Sequence, residues 1–421
     1  MKRVSFYGCL AWFSLSLFFL FSLVAGKVAN ISFYLLMLAA FLHAFHSIKN
    51  RDFEIFYVWK QYLWVYLGAI GMVLAVLLHE IAVNKIRMHS YDVTSRVGLL
   101  GLLTWGAISL STRQMKSLRW VFMMGTVIAT AKLVTFTGDG DTRVPVVGFI
   151  SIIALSQLTL LLSIFSVFSI VWNERRNFLA SCFLGLAGLV GLYDIFISQT
   201  RGAWISIPIF IFLICLVFFK NTRSTKTVLW ASVLIIALAG SFSTTSIVRN
   251  RVEQAVNDIH LYNNKQNRNT SVGTRFQLWR ASWILFSENP IFGVGRDKFE
   301  GSLKDFAMRG VITIDASTYP HSHNDILFSM ATFGIFGLIG ILAAYFAPLY
   351  YFVRDMRHSD REIAAAAAMG VSLCLGYIIF GLVDVMFMWR ICDIFYSMSI
   401  ATFLAFIIRK KYELQQSGAT H

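Results

Sequence analysis

This chain is short of the residues on which water-soluble proteins depend. Of its 421 residues only 14% are charged, while 57% are hydrophobic; a soluble domain carries about 25% charged residues. So little charge cannot cover a water-facing surface, which excludes a soluble globular domain and leaves a membrane protein. Proline is scarce too, five in all, so the apolar runs can continue as unbroken helices. They do not alternate apolar with polar positions, which excludes a membrane β-barrel. The five cysteines, Cys9, Cys182, Cys215, Cys374 and Cys392, fall in or beside apolar runs, so neither a disulfide in the polar part of the chain nor a cysteine metal site is expected. Also missing are a Walker loop, a G-x-G-x-x-G turn and an H-E-x-x-H helix, and with them the usual routes to nucleotide-driven or zinc-dependent chemistry. The basic excess is large, 37 against 22 acidic residues. Its members cluster in short loops between apolar runs, which is a pattern of membrane topology and not of nucleic-acid binding.

What the chain has is apolar length. A spanning helix needs about 20 apolar residues, and runs of that kind lie near 4–25, 28–48, 61–83, 97–111, 117–137, 144–172, 178–198, 203–219, 227–246, 325–353, 363–382 and 388–408. They predict an all-α polytopic membrane protein of about twelve spans, a single membrane domain over 1–421. The first run is longer than a signal-peptide core of about 7–15 residues and reads as a span. Short loops on the side of the termini hold nineteen lysines and arginines against seven on the other side, which places both termini in the cytoplasm. Between spans nine and ten lies the one long polar interval, 247–324, facing outward. Within it Phe276, Trp279, Trp283 and Phe286 recur at helical spacing, predicting an amphipathic helix near 272–287, capped by Ser271 or Thr274, that lies against the membrane interface.

Candidate chemistry gathers at the outward ends of helices. Arg201, in R-G-A-W, and Arg275, in T-R-F-Q-L-W-R, both sit where a helix is expected to start, and helix starts favour anions. Gly202 is read as removing a side chain that would crowd a ligand. Arg280 and Arg143 are further outward cations. His321 and His323 each supply an imidazole able to act as a base near neutral pH; the sequence leaves open which one works. Asn324 follows directly, and Gly334, Gly337 and Gly340 permit close packing behind the site. Asp139 and Asp141 form a D-x-D pair, a spacing found at metal sites, in a glycine-rich turn of the kind that is usually only a turn. Asp194, Asp384, Arg390 and Asp393 lie in or at the ends of apolar runs, where a charge is a functional candidate, and pairing of Arg390 with Asp393 or Asp384 is an equally good structural account; Lys132 carries no assigned role. A cluster of arginines without acidic metal ligands suits a diphosphate held by guanidinium forks, so neither a metal nor another cofactor is expected.

Arg201 to Trp204, the T-R-x-x-x-W stretch at Arg275, N-P-I-F-G-V-G from Asn289 to Gly295, and His323-Asn324 followed by Gly334 and Gly337 together resemble the O-antigen ligase and polymerase superfamily, and the whole chain resembles its ligases. That resemblance implies a membrane C-type glycosyltransferase fold in the bacterial inner membrane with a periplasmic active site. It implies metal- and ATP-independent, inverting transfer of a polysaccharide from undecaprenyl diphosphate to a sugar hydroxyl of lipid A–core. It carries the family histidine onto His323, the essential arginines onto Arg201 and Arg275, and a further arginine onto Arg143; together with Arg143, the residues Arg280, His321, Asn324 and Trp279 are expected as substrate contacts. The expected partners are that donor, that acceptor and membrane lipids, with no nucleic acid. A polymerase with the same donor, or a transporter with a charged vestibule, are the competing readings.

Overall fold

The computed structural model describes residues 5–51, 54–137, 146–173, 177–218, 246–264 and 266–418. The chain begins with α1 (Phe6–Phe21) and α2 (Gly26–Asn50), then α3 (Glu54–Lys60) and α4 (Leu63–Ala82). Next come α5 (Tyr91–Gly98), α6 (Leu100–Ile108) and α7 (Thr112–Thr137). A two-stranded antiparallel hairpin, β1 (Val146–Val147) and β2 (Ile150–Ser151), leads into α8 (Ile152–Phe168), then α9 (Phe178–Ile197), α10 (Arg201–Trp204) and α11 (Ser206–Phe218). The polar interval holds α12 (Ser246–Asn263), α13 (Ser271–Glu288) and α14 (Arg296–Met308). The chain closes with α15 (Asp325–Met356), α16 (Arg361–Gly381) and α17 (Arg390–Gly418).

The protein is therefore an all-α polytopic membrane protein. Among the described residues eight helices are long and apolar enough to cross a membrane, and α1 and α11 are shorter apolar helices. The count expected from the sequence was higher. Most of the run 227–246 lies outside the described residues. The run 97–111 is broken at Leu99 into α5 and α6, and Gly98 beside the break packs closely on α4, where a Cβ would stand 2.7 Å from Val73. The long sixth run gives its first residues to the hairpin, and α8 starts only at Ile152, capped by Ser151. Burial ranks the helices: the most apolar stretch of α17 is 94% buried and those of α8 and α16 are each 89% buried, so these three form the bundle centre. The alanine run Ala364–Ala368 lets neighbours close on α16.

A single break in α15 positions much of the polar interval. Gly334 has φ 63°, and a Cβ there would meet the Ile291 carbonyl at 2.3 Å. The kink frees backbone groups that a straight helix would pair internally. The N-P-I-F-G-V-G turn takes them up: Val294 N–H donates to Ala331 O at 3.0 Å, Gly295 N–H to Thr332 O at 2.9 Å, and Ile335 N–H to Pro290 O at 2.8 Å. His79 of α4 grips the same turn, its Nδ1 2.7 Å from Phe292 O. Above the turn Leu278, Leu285, Phe299, Leu303 and Phe306 form a small core that reaches Phe328 and Ala331 of α15. The polar interval is thus seated on the start of α15. At the other end of the bundle ion pairs tie the helices together, Lys116 to Glu362 at 2.6 Å and Lys411 to Asp355 at 2.8 Å.

Candidate active site

Four backbone segments meet at one end of the bundle: the 199–202 turn, α13, the 319–325 segment and the 382–389 loop. Thr270 caps α13 by accepting from Gly273 N–H, in place of the expected Ser271 or Thr274. Arg275 is then the fifth residue of the helix, one turn in, so free N–H groups at the helix start do not explain its position. The buried face of α13 carries Leu278, Ala281 and Leu285, while Phe276, Trp279 and Trp283 lie toward its outer side. Arg280 is exposed and stands about 140° around the helix from Arg275, so the two do not face one ligand. Trp279, one turn from Arg275, shares its side of the helix and is half-buried.

Arg275 lines a narrow cleft of about 40 Å³ with Gln157, Thr200, Gly202, Ser271 and Val383. Arg201 lies in the backbone between two of these residues; its side chain is outside the described residues, as is all of Arg143, with Asp139 and Asp141. Gly202 serves packing here and not a ligand, because a Cβ would meet Val383 at 2.4 Å. Gln157, on α8, is fully buried, and neither its amide nitrogen nor its oxygen has a hydrogen-bond partner among the described residues. Buried amides are almost always satisfied, so Gln157 marks the cleft as a place for a polar group. Sequence reasoning missed it, since one glutamine in an apolar run carries no signal.

His323 has φ 52°, a left-handed backbone that turns its ring toward the 382–389 loop. Its Nδ1 lies 3.3 Å from Asp384 Oδ1, and Asp384 also accepts from Val385 N–H at 2.8 Å. A carboxylate only accepts, so it places the proton on Nδ1 and leaves Nε2 with the lone pair. Burial alone would raise the Asp384 carboxyl; the His323 hydrogen bond and the two imidazoles outweigh it and hold it below the ordinary value. Asp384 also acts on Arg275. Burial depresses that guanidinium, while the charges of Asp384 and Tyr319 oppose the depression. Arginine and histidine thus face one anion.

His321 is buried at 5% exposure, its ring 4.4 Å from that of His323. Its Nδ1 accepts from His323 N–H at 3.2 Å. Burial, with His323 and Arg296 adding to it, pushes its pKa down to about 4. Ligand atoms of His321, His323 and Asp384 lie within 4.8 Å of one another, a set able to hold a metal ion. Asn324 caps α15, accepting from Leu327 N–H at 2.9 Å and donating to Leu382 O at 3.2 Å. Those bonds give it a structural role at the start of α15. Asp325, buried, accepts from Tyr345 OH at 2.8 Å and from Met386 N–H at 3.0 Å, pinning the 382–389 loop to α15. The expected pairing of Arg390 with Asp384 or Asp393 does not form: Arg390 reaches Asp92 at 2.5 Å. Lys132 donates to Leu23 O at 3.1 Å, and Asp194 accepts from Thr130 at 2.9 Å.

Residues 186–342 match the family model described as O-Antigen ligase. Over this stretch, less than half of its length, the chain is similar to the O-antigen ligase family. The match takes in the 199–202 turn, Arg275, His323 and the Gly334 kink; Asp384 lies beyond it. The O-antigen ligase of Escherichia coli is 26% identical over 226 residues, 51% of this chain and 51% of that protein. That of Salmonella typhimurium is 26% identical over 180 residues, 42% of this chain and 41% of its own length. An uncharacterized protein of Haemophilus influenzae is 23% identical over 230 residues, 54% of this chain and 58% of that one. The chain spans about half the length of these curated relatives. These similarities and the apolar helices fit a multi-pass membrane protein resembling the O-antigen ligases.

Proposed function

We propose that this protein is an O-antigen ligase that transfers a polysaccharide from undecaprenyl diphosphate to a sugar hydroxyl of lipid A–core at the periplasmic face of the inner membrane. In the reaction the acceptor oxygen attacks the anomeric carbon, its proton passes to His323 Nε2, and the bond from that carbon to the diphosphate oxygen breaks. The departing undecaprenyl diphosphate takes the electron pair, and the anomeric centre inverts. Asp384 holds the imidazole in the tautomer this requires and offsets the imidazolium charge that forms. Arg275 offsets charge on the leaving diphosphate in a cleft largely closed to water, where such an effect reaches several kcal/mol. Arg201 is assigned the same role from its place in the backbone beside that cleft.

The observation that carries this reading is the His323–Asp384 pair in the electrostatic reach of Arg275. Purified protein given undecaprenyl-diphosphate glycan and lipid A–core should form the joined glycolipid. Lipid A–core stripped of its outer sugars should give no product, whereas an enzyme that instead lengthens the glycan on its own carrier would be a polymerase and overturn the assignment. The close set of His321, His323 and Asp384 favours a second reading, in which a divalent cation sits on those ligands; transfer abolished by chelator and restored by the cation would select it.

A further inference from the structure

A second polar hollow, of about 550 Å³, lies between the end of α4, residues 85–90 and the start of α14. Its cations are Lys85, Arg87, Arg296 and Lys298, and its carboxylates are Glu80 and Asp297. Arg87 uses both carboxylates: its guanidinium pairs with Asp297, and its backbone N–H donates to Glu80 at 3.0 Å. Lys85 and Lys298 have no ion pair among the described residues, so the hollow keeps uncompensated positive charge. These are unexpected positions for it. Lysine and arginine are sparse in the short loops at this end of the bundle, and three of the seven there fall between 85 and 96.

Val83, Ile86 and Met88 at this edge are 43, 64 and 84% exposed, and they continue from the membrane-crossing α4. Exposed apolar side chains at the end of a span next to unpaired lysines suit a lipid whose headgroup is anionic. The volume exceeds what a bare phosphate needs and falls in the range of sites for sugar-sized ligands. His79, Ser90 and Glu80 add polar groups for hydroxyls. Arg296 forms the back wall. It donates to Met388 O at 2.9 Å, in the loop that carries Asp384, and its charge reaches His321. The hollow therefore connects to the histidine site through Arg296 and shares no lining residue with the Arg275 cleft.

We infer that this hollow binds the phosphorylated sugar headgroup of a glycolipid, with phosphate on Lys85 and Lys298. On the transfer reading above, on which this part rests, it is where the lipid-borne acceptor docks, leaving the Arg275 cleft to the donor diphosphate. Two lipid-anchored substrates then approach His323 from separate hollows.

The test is binding to the purified full chain in phosphatidylcholine nanodiscs, comparing a disaccharide lipid that carries a phosphate monoester with its dephosphorylated counterpart. Wild type should prefer the phosphorylated lipid by about tenfold or more. Lys85→Gln with Lys298→Gln should abolish that preference, and Lys85→Arg with Lys298→Arg should keep it. Arg275→Ala should keep it as well. The inference is overturned if the glutamine pair retains the preference, or if Arg275→Ala removes it. It is equally overturned if phosphatidylglycerol or inorganic phosphate displaces the glycolipid as effectively as its own phosphorylated form. A wild type that shows the preference but catalyses no transfer would count against the transfer reading alone; one that transfers without the preference would count against this inference alone.

Discussion

At His323 the backbone adopts φ 52°, a conformation that costs a non-glycine residue on the order of 1 kcal/mol and is retained where the surroundings over-determine it. What fixes it is the ring's position between His321, Tyr319 and Asp384. If Asp384 orients this base, Asp384→Asn should lower kcat by about 10²-fold or more with little change in the KM for acceptor; a loss confined to KM would place Asp384 in binding instead. His321 gives a pH prediction. Its pKa of about 4 in the fold lies below the ordinary 6.5, so between these values the unfolded chain takes up a proton that the fold refuses. Its contribution is complete above about pH 6.5 and is lost as pH falls toward about 4, on the order of 3 kcal/mol across the window. Thermal melts at constant ionic strength should show His321→Asn flattening that slope; an unchanged slope would contradict the burial argument. Arg275 and His323 could be picked out in the sequence as polar residues at the edges of apolar runs, although a plain interfacial role explains such residues as well. Asp384 was visible only as a charge. Its nearest basic neighbour in sequence, Arg390, reaches across 298 residues to Asp92, and no local pattern encodes that exchange of partners.

Among the elements, the kinked helix α15 organises the site. The glycine spacing was readable, yet its purpose was not: Gly340 does meet Gly71 of α4 closely, but Gly334 breaks the helix so that the 289–295 turn can complete its hydrogen bonding. Whether a glycine packs or kinks depends on a partner segment some 40 residues earlier in the chain, which helical periodicity does not report. Gly334→Ala should destabilise the protein by at least about 1 kcal/mol, since it combines a left-handed φ with a clash against the Ile291 carbonyl. Melting in detergent checks this, and an alanine variant as stable as wild type would mean the kink is not required. The face that α13 buries is Leu278, Ala281 and Leu285 and not its aromatic stripe, and its N-terminal cap is Thr270, one residue or more before the expected Ser271 or Thr274.

For the whole molecule, hydropathy gave the fold class directly, since apolar length is the dominant constraint on a chain in lipid. Among the described residues α5 and α6 divide one apolar run into two short helices. Orientation is a further expectation: the polar interval outward and the end of α17 in the cytoplasm. Lys304 and Gln415 are exposed at opposite ends of the bundle. In intact cells an impermeant thiol reagent should label Lys304→Cys once the outer membrane is opened, and label Gln415→Cys only after the inner membrane is lysed; the reverse order would invert the topology. The most direct measurement of the account as a whole is the initial rate of glycan transfer from undecaprenyl diphosphate to lipid A–core by purified wild type and His323→Ala, with chelator present. The account predicts undiminished transfer by wild type and a rate lower by about 10²-fold or more for the variant. Equal rates for the two proteins, or no transfer by wild type until a metal ion is restored, would contradict it.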